Sequence, residues 1–205
     1  GFQFFDETRH VMEARVAPVI NSAHTIRCAK MLRQMAAVLG RTNDFAEYDE
    51  DVADLSASLQ KYSWDETSGY FGYVVHDENG EPTGILRDEN GVNFNLGLDG
   101  VYPLVAGVCS PDQTEKILGN LFSPEHLWMD IGITTVDQSA PYYNASGYWN
   151  GSVWLAHQWF LWKTMLDLGR GDLAIRMAQT GLDLWKTSTG STYNCMEHFY
   201  PKTPY

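Results

Sequence analysis

The chain has 205 residues, 44% hydrophobic and 13% aromatic, enough to bury a sizeable core in one or two domains. Its 14 Lys and Arg stand against 26 Asp and Glu, and the formal charge of −12 disfavours nucleic-acid phosphates and anionic membrane surfaces as partners. Three well-separated cysteines, Cys28, Cys109 and Cys195, make neither a zinc spacing nor a fully paired disulfide framework and are expected as buried thiols; no apolar run approaches the ~20 residues of a membrane span.

The first residues, "GFQFFDETRHVM", lack the basic start and apolar run of a secretory leader, and no initiating Met is present. With the Pro-rich end "FYPKTPY", this suggests a piece of a larger domain, and a further helix is conceivable over about Thr8–Ala17. From Ser22 to Leu39, Ile26, Ala29, Leu32, Met35, Ala36 and Leu39 recur at helical spacing, with Gly40 as a stop. Asn43 or Asp44 is the expected cap of a second helix carrying Phe45, Tyr48, Val52, Leu55, Leu59 and Tyr62 on one face. The short link between them predicts an antiparallel helical hairpin.

"SGYFGYVVHDENGEPTGIL" breaks the helical rhythm with aromatic and β-branched residues around the turn "DENG", which predicts a small β-hairpin inserted between helices. Ser110 and Pro111 then open a helix at about 111–121. Residues 123–151 read as a long, aromatic, mostly irregular connection, and a loop of that kind in a compact chain is usually functional or disordered. "SVWLAHQWFLWKTMLDLG", 152–169, is apolar nearly all round, as expected for an enclosed helix. A last helix follows the Gly169–Gly171 turn, with Asp172 as its cap and Leu173, Met177, Leu184 and Trp185 available to the core. A series of helical hairpins joined by long aromatic loops predicts an all-α fold of the α/α-toroid type, although bundles and helical solenoids fit the helices as well.

Two segments can carry chemistry. "YNASGYWNGSVW", 143–154, is uncharged; its rings suit the apolar face of a sugar, Asn150 and backbone groups suit its hydroxyls, and Gly147 and Gly151 allow a sharp turn or close approach. Trp149 and Trp154 serve equally well as core anchors of a helix start. In "STYNCMEHFYPKT" a single acid, Glu197, sits among Tyr193, Met196, Phe199 and Tyr200, where it can position a water as a general base or simply lie in a solvated loop. His198 reads as a structural histidine, since no second ligand lies at metal spacing beside it. Trp64 and Asp65 in "WDETSGYF" offer a hairpin start with a local cap or a substrate contact, and "GITTVD" offers Thr hydroxyls or Asp137 to a pocket. No phosphate loop, nucleophile elbow or paired metal-binding His motif is present, so phosphoryl transfer and metal-dependent hydrolysis are disfavoured and no cofactor or metal is expected.

In order, "WDETSGYFGYV", "LGLDGVYPLVAG", "GITT…YYNASGYWNGSVW" and "YNCMEHFYPKT" resemble the C-terminal part of the (α/α)6 catalytic domain of glycoside hydrolase family 63 and its relatives. The resemblance runs from about Val16 to Thr203 and implies one partial catalytic domain over 1–205, about half of a toroid, that needs the remaining N-terminal part to complete the barrel. "YWNGSVW" is similar to the family's Tyr-Trp-Arg-Gly-Pro-x-Trp segment, with Asn150 and Ser152 in place of Arg and Pro. The match implies Tyr148, Trp149, Gly151 and Trp154 as contacts to an α-linked oligosaccharide or glycoside, with Asn150, Tyr193 and Trp64 as further candidate contacts. "YNCMEHFYP" is similar to the family's Tyr-x-x-x-Glu-x-(aromatic)-x-Pro-like loop, which implies Glu197 as the general base. The implied reaction is inverting hydrolysis of an α-glucoside or α-mannoside, with two carboxyl groups about 6.5–9.5 Å apart. For the general acid the nearest match is Asp6 in "FFDETRH"; otherwise the acid lies outside this sequence. A non-catalytic carbohydrate-binding toroid and a helical-repeat protein binding peptide are the alternatives. Apolar faces left uncovered by half a toroid predict that the chain by itself self-associates and is inactive.

Overall fold

A computed structural model describes residues 15–194 and 196–201. Among these residues are six α-helices and four small antiparallel sheets, and the chain forms two compact units, one ending at Ile117 and the other beginning at Leu118.

In the first unit, α1 (Val19–Val38) and α2 (Phe45–Tyr62) make the expected helical hairpin, turned by Gly40 at φ +69° and a 3-10 segment at Thr42–Asp44. Asp44 does not cap α2 as expected: its carboxylate pairs with Arg41 at 2.8 Å and makes no cap bond. The predicted apolar face of α1 divides. Ile26, Ala29 and Ala36 are buried, whereas Leu32, Met35 and Leu39 lie exposed with Met31 and Val38, the last 87% accessible.

β1 (Val16–Ala17), β4 (Val74–His76) and β5 (Pro82–Ile85) form a sheet in the order β1-β4-β5, and β2 (Trp64–Asp65) pairs with β3 (Tyr70–Phe71). The β4–β5 hairpin is the predicted one. Asp77 Oδ1 accepts from the backbone N–H groups of Asn79 and Glu81 and so fixes the "DENG" turn. The conceivable helix at Thr8–Ala17 ends in residues that are strand, Val16 opposite Val75 and Ala17 opposite Val74; residues before 15 lie outside the described part.

α3 (Leu98–Val105) was not legible because Pro103 sits inside it. A proline in a helix costs ~3 kcal/mol, but the helix buries Leu98, Val101, Tyr102 and Leu104, at roughly 1.5–3 kcal/mol for a large apolar side chain. α4 (Pro111–Phe122) has the expected Ser110 cap, closed into a box: Gln113 N–H donates to Ser110 Oγ at 3.2 Å and Ser110 N–H to Gln113 Oε1 at 2.9 Å.

In the second unit, α5 (Leu155–Asp167) and α6 (Gly171–Thr192) form a hairpin through Gly169, at φ +71°. α5 begins three residues later than predicted because Val153–Trp154 is a strand, β8, paired with β9 (His198–Phe199). Asp172 is bonded by Arg170 instead of capping α6, and Trp185 is exposed, whereas Met177 and Leu184 are buried as expected. β6 (Trp128–Met129) and β7 (Gly132–Ile133) make a tight hairpin. Gln158 of α5 clamps it, accepting from Ile133 N–H at 3.0 Å and donating to Ile133 O at 2.9 Å, both buried. Val153, Leu184 and Phe199 form the core under β8 and β9.

Cys28 is exposed and not buried, because it falls on the outer face of α1. Cys109 is half-buried, which pushes its thiol up to about 12, and Cys195 lies outside the described residues. No described helix is long and apolar enough to cross a membrane.

Candidate functional site

The uncharged segment 143–154 is a loop closed on itself by asparagine. Asn144 N–H donates to Asn150 O at 2.9 Å, Ser146 N–H to Asn144 Oδ1 at 3.0 Å, and Asn150 Nδ2 to Tyr142 O at 3.1 Å. Gly147 and Gly151 are required by this closure: a Cβ on Gly147 would overlap the Asn150 amide, and one on Gly151 the backbone carbonyl of Asn144. Neutral side chains and glycines thus build a rigid loop, and the side chain of Asn150 is engaged within it.

Ser152 is buried and its hydroxyl donates to Tyr148 O, while Trp154 Nε1 donates to both Ser152 Oγ (3.0 Å) and Tyr148 O (3.1 Å). This fixes the two ends of "YWNGSVW" against each other. The Trp149 and Trp154 rings stack in parallel at 4.1 Å and 3°, with Trp154 only 6% accessible and Trp149 45%. Tyr148 stands edge-on to both, at 5.1 and 4.9 Å. The result is a layered aromatic wall, its Trp154 layer buried and its Trp149 layer open, with the amphipathic character that sugar faces need.

The β8–β9 ladder brings the C-terminal loop to this wall. Opposite Trp154 stands His198, whose ring stacks on Trp154 at 5.2 Å and meets Tyr148 and Tyr200 edge-on at 4.7 and 5.1 Å. Glu197, next along the chain, has a side chain 64% accessible, and its Oε2 accepts a hydrogen bond from Tyr148 Oη at 2.7 Å. His198 Nδ1 lies 4.0 Å from the same oxygen. The hydrogen bond to Glu197, with smaller effects of burial and of the nearby charges, pushes the Tyr148 phenol above its ordinary range, so it stays a donor.

Of the sequence candidates, Tyr148, Trp149, Trp154 and Glu197 come together. Gly151 and Asn150 shape the loop that carries them. Tyr193 ends α6 in the left-handed conformation, φ 56°, with an exposed ring outside the aromatic cluster. Trp64 belongs to the first unit, where its Nε1 donates to Glu66 Oε2 at 2.7 Å and its ring leans on Phe71. Asp6 lies outside the described residues.

His198, Tyr200 and Ser152 were not among the expected contacts. The alternation in "HFY" is the signal that finds two of them, since period two turns His198 and Tyr200 to one side and Phe199 into the core.

The competing acids are engaged elsewhere. Asp137 is buried against His126 Nδ1 (2.9 Å) and Ser139 Oγ (2.7 Å), and Thr134 Oγ1 donates to Val136 O, so "GITTVD" braces its own turn instead of opening a pocket. Asp65 is buried, with Arg87 Nη2 at 3.0 Å and Ser68 Oγ at 2.7 Å. Burial alone would raise its carboxyl, but the Arg87 and Ser68 hydrogen bonds, the Arg87 charge and the Thr67 backbone hold it below the usual carboxylate range. Asp99 accepts from Tyr73 Oη at 2.6 Å. Among the described residues no three His, Cys, Asp or Glu converge in a metal-holding group.

Residues 5–205 match the family model of the mannosylglycerate hydrolase MGH1-like glycoside hydrolase domain. Two curated relatives, mannosylglycerate hydrolases MGH2 and MGH1 of Selaginella moellendorffii, are each 31% identical over 99 residues, which is 47% of this chain and 20% of theirs. A solved GH63 mannosylglycerate hydrolase from Thermus thermophilus, in complex with Tris, superposes with TM-score 0.70 at 22% identity over 91% of this chain and 40% of that one. Neutral trehalase Nth1 from Saccharomyces cerevisiae does so with TM-score 0.69 at 17% identity, over 93% and 35%. The fold is accordingly the expected one, part of an (α/α)6 toroid with small β insertions. The 99 matched residues span about a fifth of the length of the curated relatives.

Proposed function

Because the chain belongs to the family of mannosylglycerate hydrolase MGH1-like glycoside hydrolase domains, we propose that it supplies the general base and one sugar-binding wall of an inverting α-glycosidase. Glu197 takes a proton from a water, the water oxygen bonds to the anomeric carbon, and the glycosidic C–O electrons leave with the departing oxygen. A second carboxylic acid, Asp6 or an acid outside this sequence, protonates that oxygen. Tyr148 and Trp149, the two accessible rings, meet the apolar face of the sugar ring, while Trp154 backs Trp149 and Asn150 and Gly151 shape the loop that carries them.

One observation carries this reading: the accessible Glu197 carboxylate accepts a hydrogen bond from Tyr148, whose ring stands edge-on to the stacked tryptophans, while Asp65 and Asp137 are buried in pairs of their own. The curated relatives are mannosylglycerate hydrolases and a structural neighbour is a trehalase, so α-mannosyl glycerate and trehalose head the panel of α-linked substrates to try. The test is sugar release by the full-length protein that carries this sequence, beside its Glu197→Gln variant. Hydrolysis lost in the variant with sugar still bound supports the proposal. Sugar binding with no hydrolysis in either protein replaces it with the carbohydrate-binding reading.

A further inference from the structure

A general base on an accessible loop needs something to hold it. Glu197 has a long side chain, 64% accessible, at the end of the loop that follows α6, and fixing such a side chain costs rotamer entropy. Tyr148 is held at both ends. Its carbonyl accepts from Ser152 Oγ and Trp154 Nε1, and its ring is fenced by Trp149, Trp154 and His198 with centroids 5.1, 4.9 and 4.7 Å away. Its hydroxyl is then directed at Glu197 Oε2, 2.7 Å away; among the described residues none bonds Oε1.

We infer that Tyr148 is the positioning residue of Glu197: its hydroxyl holds Oε2 and leaves Oε1 as the oxygen that takes the proton from water. The inference rests on Glu197 being the base, and it gives Tyr148 a task separate from sugar contact. A tyrosine acting only as a sugar platform would lose little on conversion to phenylalanine, which keeps the ring and removes only the donor. The raised phenol agrees with this geometry, because a neutral hydroxyl remains to donate throughout the neutral range.

The test measures kcat and KM for Tyr148→Phe, Glu197→Gln and the double variant in the full-length protein. Tyr148→Phe is expected to lower kcat by about 10-fold or more, the worth of a hydrogen bond to a charged group, with KM within about twofold. In the Glu197→Gln background it is expected to add no further loss, because its effect passes through the carboxylate. An unchanged kcat in Tyr148→Phe, or the same loss in both backgrounds, overturns the positioning role while Glu197 stands as the base. Full activity in Glu197→Gln removes the base and this inference together.

A second measurement is independent of turnover and of the folding of Tyr148→Phe. Isotope-labelled tyrosine titrated by NMR in the wild type and in Glu197→Gln is expected to show one phenol whose pKa falls in the variant; no phenol moving would overturn the hydrogen bond itself.

Discussion

Trp154 and His198 oppose each other twice, as cross-strand partners in the β8–β9 ladder and as rings stacked 5.2 Å apart at 23°. Through this pair, one residue before His198, Glu197 meets the aromatic loop. Replacing Glu197 by Gln keeps the shape and hydrogen bonding but removes the proton acceptor. The expected result is a loss of on the order of 10²-fold or more in kcat, with sugar binding retained by calorimetry.

Gly151 touches the backbone carbonyl of Asn144, which cannot swing aside as a side chain can. Gly151→Ala is therefore expected to destabilise the fold by about 1–3 kcal/mol through overpacking. Thermal denaturation checks this, and the same change at Gly190, where nothing lies near the Cβ position, serves as the comparison.

Asp65 is held ionised by Arg87 and Ser68. Since its folded pKa is depressed, the pair contributes stability above the unfolded value of about 3.9 and loses it as pH falls through the lower folded value. Arg87→Met leaves the carboxylate buried without its cation, at a cost on the order of 2 kcal/mol near neutral pH. The gap between wild type and variant is expected to narrow below about pH 4, as Asp65 is protonated. Urea midpoints measured from pH 7 down to pH 3 follow that gap; a constant difference would contradict it.

Thr135 buries its hydroxyl with no hydrogen-bond partner among the described residues. Thr135→Val keeps the shape and removes the unmet group, so it is expected to stabilise by about 1 kcal/mol, or about 2–4 °C in Tm.

Met31, Leu32, Met35, Val38 and Leu39 line one exposed side of α1, and Ile175, Leu182 and Trp185 are exposed on α6. Residues 1–205 expressed by themselves are expected to self-associate. Sedimentation velocity over a concentration series checks this, and a monomer with a sharp, reversible melt is the opposite outcome.

The helical hairpins were readable because their apolar residues recur at threes and fours, and the "DENG" hairpin because turn chemistry is local. α3 was hidden by Pro103, whose cost is met by tertiary burial that no short window displays. Val153–Trp154 read as helix because an apolar run has no visible period, and only pairing with His198–Phe199 makes it a strand. In the site, the wall and the acid were each legible from composition. Their meeting depends on Tyr148 and Glu197, 49 residues apart, and on a two-pair ladder no local pattern encodes.

That ladder also determines where the chain tolerates change. A slip of one residue in β9 would carry Phe199 out of the core it shares with Val153 and Leu184, and bury His198 in its stead. An insertion between Glu197 and Phe199 likewise unships the carboxylate from the wall. Any redesign of this loop is therefore bound to keep the spacing of Glu197, His198 and Phe199.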